Sequence, residues 1–149
     1  MSYDSLVIYD FDYRMRSETD YLSIIDEAGQ LPPTVKKSVR LSNLRARELS
    51  ERLEKTESYG QLTAACFTPH FGMVYYRQGE AVAHVTLCLG CNYLRASSPI
   101  QAMEQCPETY EDFTYYRCSG FSSEFRKYLS ELKQEFAFSH YNIESSLFD

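Results

Sequence analysis

Cys88-Leu89-Gly90-Cys91 holds two thiols three positions apart, a spacing that lets one pair either chelate a metal ion or close on itself as a redox couple. Zinc asks for about four soft or borderline ligands in a tetrahedron. Cys66 and His70 lie on the other arm of the hairpin described below, so the zinc reading takes Cys66, His70, Cys88 and Cys91 as its ligands, with Cys106 or Cys118 as substitutes for the histidine. The spacing is not that of a zinc ribbon, because a second Cys-x-x-Cys is missing. A redox couple of the thioredoxin kind needs a helix N-terminus at the motif, where the dipole lowers a thiol pKa. Asn92-Tyr93-Leu94 starts no helix. Five cysteines, an odd number, without an export signal read most simply as reduced thiols buried as small hydrophobes.

The other reactive types are sparser. His84 falls on a strand face with Val82, Thr86 and Cys88, the setting of a hydrogen-bonded core histidine, and His70 follows Pro69 at a bend. No Ser or Cys stands beside either imidazole in a nucleophile motif. The chain has no glycine-rich phosphate loop, no His-Glu-x-x-His and no calcium loop. Arg45, Arg47, Arg52 and Lys55 alternate with Glu48, Glu51 and Glu54, which marks a solvated helix face laced with side-chain pairs.

The elements that position these residues follow from periodicity. Leu6-Val7-Ile8-Tyr9 reads as a short strand, and the spacing of Tyr21, Leu22, Ile24 and Ile25 predicts a helix over Thr19 to Ala28 closed by Gly29. Val35, Val39 and Leu41 suit a short strand. Ser42 caps a helix that carries Leu44, Leu49 and Leu53 and ends near Thr56 to Gly60. Residues 63–77 and 81–89 form a β-hairpin across Gln78-Gly79, with Tyr75 opposite Val82, Met73 opposite His84, Phe71 opposite Thr86 and Cys66 opposite Cys91. From Ile100 to Cys118 only Phe113 to Tyr116 looks strand-like. Ser122 or Ser123 caps a last helix through Phe125, Tyr128, Leu129, Leu132 and Phe136, which should pack on the hairpin. The expected fold is one α+β domain over 1–149, a central antiparallel β-hairpin or small sheet packed against two or three helices.

Composition narrows the function classes. A formal charge of −6 opposes a nucleic-acid or anionic-membrane surface, because each needs basic side chains to neutralise phosphate. No apolar run approaches the roughly 20 residues that span a bilayer, and the expectation is a cytoplasmic chain. Thirteen tyrosines and nine phenylalanines with no tryptophan supply aromatic contact area with polar tips, the chemistry of protein interfaces. Acidic charge, abundant Tyr and no assembled active site point to a non-enzymatic protein-binding module. Its most specific form is a bacterial immunity or inhibitor protein that masks a basic toxin or effector. The alternative is a zinc- or thiol-dependent protein using Cys66, Cys88 and Cys91; no other cofactor is expected.

Two strings resemble known groups. Leu6-Val7-Ile8-Tyr9-Asp10-Phe11-Asp12 resembles the first motif of the haloacid-dehalogenase-like phosphatases, which implies Asp10 as nucleophile, Asp12 as general acid/base and Mg²⁺ beside them. Tyr13-Arg14 departs from the small residue and Thr or Val of that family. Glu111-Asp112 offers an acidic pair, but no strand-helix alternation of a doubly wound sheet surrounds it. Over Leu41 to Leu94 the chain resembles a group of uncharacterised bacterial proteins. The resemblance rests on a leucine-rich helix, Ser58-Tyr59-Gly60, Ala64-Ala65-Cys66-Phe67-x-Pro69, Gly72-Met73-Val74-Tyr75-Tyr76 and Val82-Ala83-His84-Val85-x-Leu87-Cys88-Leu89-x-Cys91-Asn92. Pro69-His70-Phe71 replaces the Pro-Arg-His of that group, and the resemblance implies the hairpin and its cysteine end rather than an activity.

Overall fold

A computed structural model of the protein describes residues 2–13 and 22–139. The central layer is an antiparallel sheet of five strands: β1 (Ser5–Phe11), β2 (Val35–Arg40), β4 (Phe71–Arg77), β5 (Glu80–Cys88) and β6 (Tyr93–Ala96), in the order β2-β1-β4-β5-β6. Alternation along β1 sends Leu6 and Ile8 to one face and Tyr9 and Phe11 to the other, and all four are buried. Both faces are therefore covered. On the first, Leu6, Ile8, Phe71, Met73, Val85 and Leu87 meet Leu49 and Leu53 of α1 (Asn43–Leu53) and Phe125, Leu129 and Leu132 of α2 (Ser123–Glu135). Each such side chain contributes about 1.5–3 kcal/mol on leaving water. Ser42 and Ser122 cap the two helices by accepting the N–H of Arg45 and Phe125, both at 3.2 Å.

The second face is covered by irregular chain. Ile24 and Ile25 pack with Tyr9, Phe11 and Val74, and the Ile24 N–H donates to the Thr86 hydroxyl at 2.9 Å. Gly72 makes the close approach possible, since a Cβ there would lie 2.4 Å from Ile24 Cγ1. The helix expected over Thr19 to Ala28 is corrected for its described part: residues 22–28 form bends and turns, and 19–21 lie outside the described residues. The physical reason is Asp26, whose carboxylate accepts the N–H groups of Ala28 (2.9 Å) and Gln30 (2.8 Å) in place of helical carbonyls.

The expected hairpin forms with Gln78-Gly79 as its loop, both at positive φ (53° and 81°), so Arg77 faces Glu80 and Tyr76 faces Ala81. Beyond that point the expected register is corrected by one residue. An irregularity between Tyr75 and Tyr76 leaves Tyr75 opposite Ala83, Met73 opposite Val85 and Phe71 opposite Leu87. The slip turns Val85 and Leu87 to the helix-covered core and His84 and Thr86 to the opposite face of the sheet.

The α+β expectation is itself corrected. Among the described residues the protein is mostly β, with nine strands and two α-helices, and the hairpin is the middle of a five-stranded sheet. Two further ladders complete it: β3 (Tyr59–Gln61) with β9 (Gly120–Phe121), and β7 (Pro107–Tyr110) with β8 (Phe113–Tyr116). At the β3–β9 crossing a Cβ on Gly120 would lie 2.4 Å from the Leu62 carbonyl oxygen.

Candidate functional site

The turn between β5 and β6 carries the cysteine pair. Cys88 and Cys91 are buried and joined as a disulfide, and Cys66 is exposed and free. Cys66 belongs to the irregular strand-free segment before β4, yet its sulfur lies 3.9 Å from Cys91 Sγ. The Ala64 N–H donates to the Cys91 carbonyl (2.9 Å), and the Asn92 amide donates to the Leu62 carbonyl (3.1 Å), which fastens this segment to the turn. Thr68 closes the cluster: its N–H donates to Cys91 Sγ at 3.3 Å and its hydroxyl lies 3.7 Å from both bonded sulfurs. The Cys91 N–H donates to Cys88 Sγ at 3.1 Å.

His70, the fourth ligand of the zinc reading, is engaged elsewhere. Its Nδ1 lies 3.5 Å from Asp12 Oδ1 and 3.3 Å from the Phe11 carbonyl oxygen, and its ring meets Tyr13 edge-on. Among the described residues no three His, Cys, Asp or Glu side chains converge as a metal-ligand group. The reading of all five cysteines as reduced thiols is corrected, because Cys106 and Cys118 form a second disulfide. Sequence spacing offered Cys88–Cys91 as a redox pair and set it below buried thiols on the odd cysteine count, and it gave no sign of Cys106–Cys118.

The Asp-x-Asp string sits at the end of β1, inside an antiparallel sheet rather than the parallel one its phosphatase resemblance implies. The two carboxylates do different work. Asp10 is buried and accepts the N–H and hydroxyl of Ser139, each at 2.8 Å, which ties down the chain after α2. Asp12 is exposed enough to remain solvated and pairs with Lys36 at 3.1 Å. Both act here as structural anchors.

Among the described residues the least buried aromatic surface is the β7–β8 hairpin. Tyr110 (63% exposed), Phe113 (58%) and Tyr115 (42%) share one face, with Tyr110 and Phe113 directly paired across the ladder. Their rings touch in series, at centroid distances of 6.3 Å (Tyr110–Phe113) and 6.1 Å (Phe113–Tyr115). Tyr115 donates to Glu108, which raises the pKa of its hydroxyl, and Glu108 also pairs with Arg117 at 3.1 Å. The Cys106–Cys118 disulfide closes the base of the hairpin. Between hairpin and sheet runs a groove of about 520 Å³ lined by Leu94, Pro99, Ile100, Met103, Tyr115 and Tyr116. Sequence reasoning found Phe113 to Tyr116 and missed their partner strand. The available signal was two cysteines bracketing Thr109-Tyr110 and Phe113 to Tyr116 around an acidic turn.

A second concavity of about 380 Å³ lies between α1 and the β5–β6 strands, lined in part by Tyr75, His84 and Ile100. Burial lowers the pKa of His84 and pushes that of Tyr75 up to about 12, although the hydrogen bond with Ser50 (2.8 Å) works the other way. At neutral pH the cavity wall therefore carries no charge from either group. Among the described residues no helix is long and apolar enough to cross a membrane. No family model, curated protein or solved structure matches the chain.

Proposed function

We propose that this chain is a non-enzymatic protein-binding module whose contact surface is the aromatic face of the β7–β8 hairpin and the groove beneath it. One observation carries the reading: Tyr110, Phe113 and Tyr115 stand exposed, in mutual contact, on a hairpin that a disulfide holds shut. A two-stranded hairpin with little buried surface is marginal in water, so a covalent clamp on one that presents aromatic rings suits a surface kept ready to bind. Exposed aromatics of this kind are the anchors of protein interfaces.

The partner is a basic protein surface. Glu108, Glu111 and Asp112 flank the rings against Arg117 alone within the clamped segment, and the whole chain carries −6. Complementary charge would steer the encounter while the rings supply the buried area. The most specific version is an inhibitor or immunity protein that masks a basic toxin or effector. Two disulfides favour an oxidising compartment over the cytoplasm expected from the sequence.

The test is site-resolved. A photo-crosslinking residue placed at Phe113 should capture a basic protein from native extract, and the same residue at Leu44, exposed on α1 far along the chain, should not. Equal capture from both positions would remove the hairpin from the interface.

A further inference from the structure

We infer that Cys66, Cys88 and Cys91 form a thiol–disulfide exchange relay, in which the exposed Cys66 thiol connects solvent thiols to the buried Cys88–Cys91 disulfide. The inference is separate from the aromatic interface and survives its failure. Three facts combine. The disulfide is shielded, since Cys88 and Cys91 are 2% and 1% exposed, so an external thiol has no direct line to it. Cys66 is exposed and free, and its sulfur stands 3.9 Å from Cys91 Sγ. The turn also holds partners for the sulfur that must leave. The Cys91 N–H points at Cys88 Sγ (3.1 Å), where it stabilises a thiolate, and the Thr68 carbonyl oxygen lies 3.5 Å from the same atom, where it accepts from a thiol.

The chemistry balances within the cluster. Cys66 loses its proton to water and the thiolate attacks Cys91 Sγ; the Cys66–Cys91 bond forms as the Cys88–Cys91 bond breaks, and the electron pair goes to Cys88 Sγ, which takes up a proton. No net oxidation occurs. The disulfide has moved from a buried pair to one that ends on an exposed sulfur. A low-molecular-weight thiol then attacks Cys66 Sγ, forming a mixed disulfide and releasing Cys91 as thiol. A second equivalent of that thiol attacks the external sulfur of the mixed disulfide, restores Cys66 and leaves as the external disulfide. The sum is reduction of Cys88–Cys91 to two thiols with oxidation of two external thiols to one disulfide. In reverse, the relay oxidises the pair at the expense of an external disulfide.

Attack inside the cluster outpaces attack by a dilute reagent, because the nucleophile is already in place. The assay is reduction of the protein by glutathione, quenched with acid, alkylated and mapped by mass spectrometry. In wild type the Cys88–Cys91 bond should open at least about tenfold faster than in Cys66→Ser, while Cys106–Cys118 should open at the same rate in both. Cys88→Ser supplies a second readout that does not depend on rates. Treated with oxidised glutathione while folded by circular dichroism, it should form the Cys66–Cys91 disulfide. Equal rates in wild type and Cys66→Ser would overturn the relay. So would a folded Cys88→Ser protein whose Cys66 and Cys91 never join, or a wild-type protein purified without a tag that holds stoichiometric metal on these three sulfurs.

Discussion

Removing the clamp at the base of the aromatic hairpin, by the double change Cys106→Ser and Cys118→Ser, tests how that surface is held. The disulfide closes a loop of sequence separation 12, and constraint of the open chain over that length contributes about 3 kcal/mol at 25 °C. Little else opposes opening. All four β8 residues are exposed, and beyond the short backbone ladder and the ring contacts the side-chain bonds are one hydroxyl pair, Thr109 with Thr114 at 3.2 Å, the Glu108–Arg117 ion pair and the bond from Tyr115 to Glu108. Exposed polar contacts of that kind contribute little, because water competes for both partners. Nearly the whole effect should therefore be local. Native-state hydrogen exchange reads it directly: amides in β7 and β8 should exchange on the order of a hundredfold faster in the double variant, since 1.4 kcal/mol is a factor of about ten. Amides in β1 and β4, in the covered sheet, should be unchanged. Acceleration below about fivefold in the hairpin, or equal acceleration in the central sheet, would refute the view that the disulfide acts as a local clamp.

Other perturbations probe the sheet and its covering. Gly72→Ala places a methyl within 2.4–2.7 Å of three Ile24 side-chain atoms, and urea unfolding should show a loss of about 1–3 kcal/mol from overpacking. Combined with Ile24→Ala the two losses should fall short of additive, because the second change removes two of the three clashing atoms, Cγ1 and Cδ1, and leaves Cβ room to shift. His84 predicts a pH effect of definite sign. Its pKa is lowered in the folded state by burial, so well above the ordinary histidine value of 6.5 both states are neutral and nothing changes. As pH falls below 6.5 the unfolded chain takes up a proton first, and stability declines until the folded imidazole protonates too. Chemical unfolding across that window should give a flatter profile for His84→Gln than for wild type.

Much of the framework was legible because local signals and tertiary packing agree there. Ser42 and Ser122 each begin a run of apolar residues at helical spacing, and Gly79 accepts positive φ between two strand-like runs, so two helices and the hairpin loop follow from local chemistry. What the sequence concealed is non-local. Val35 to Arg40 carries Lys36, Lys37 and Arg40, the charged habit of an edge strand, but nothing in it announces pairing with β1. Ile24 and Ile25 have the spacing of a helix face, and Asp26 redirects the backbone to cover a sheet instead. The register of β4 and β5 turned on one irregular residue, which no periodicity displays. The Cys66–Cys91 proximity was anticipated from that faulty register, and the structure produces it by another route, a strand-free segment pinned by Asn92 and Thr68. In the sequence Cys106 and Cys118 read as alternative zinc ligands, because their pairing depends on the hairpin between them.

Titration calorimetry of the crosslinked partner against wild type and the Tyr110→Ser, Phe113→Ser, Tyr115→Ser variant bears most directly on the interface. None of the three side chains is buried, so the variant should unfold at the wild-type urea midpoint. Affinity should fall by roughly a hundredfold or more, the loss expected when aromatic anchors leave an interface. An affinity within about twofold of wild type would contradict the assignment, since anchors of an interface cost far more than that when removed.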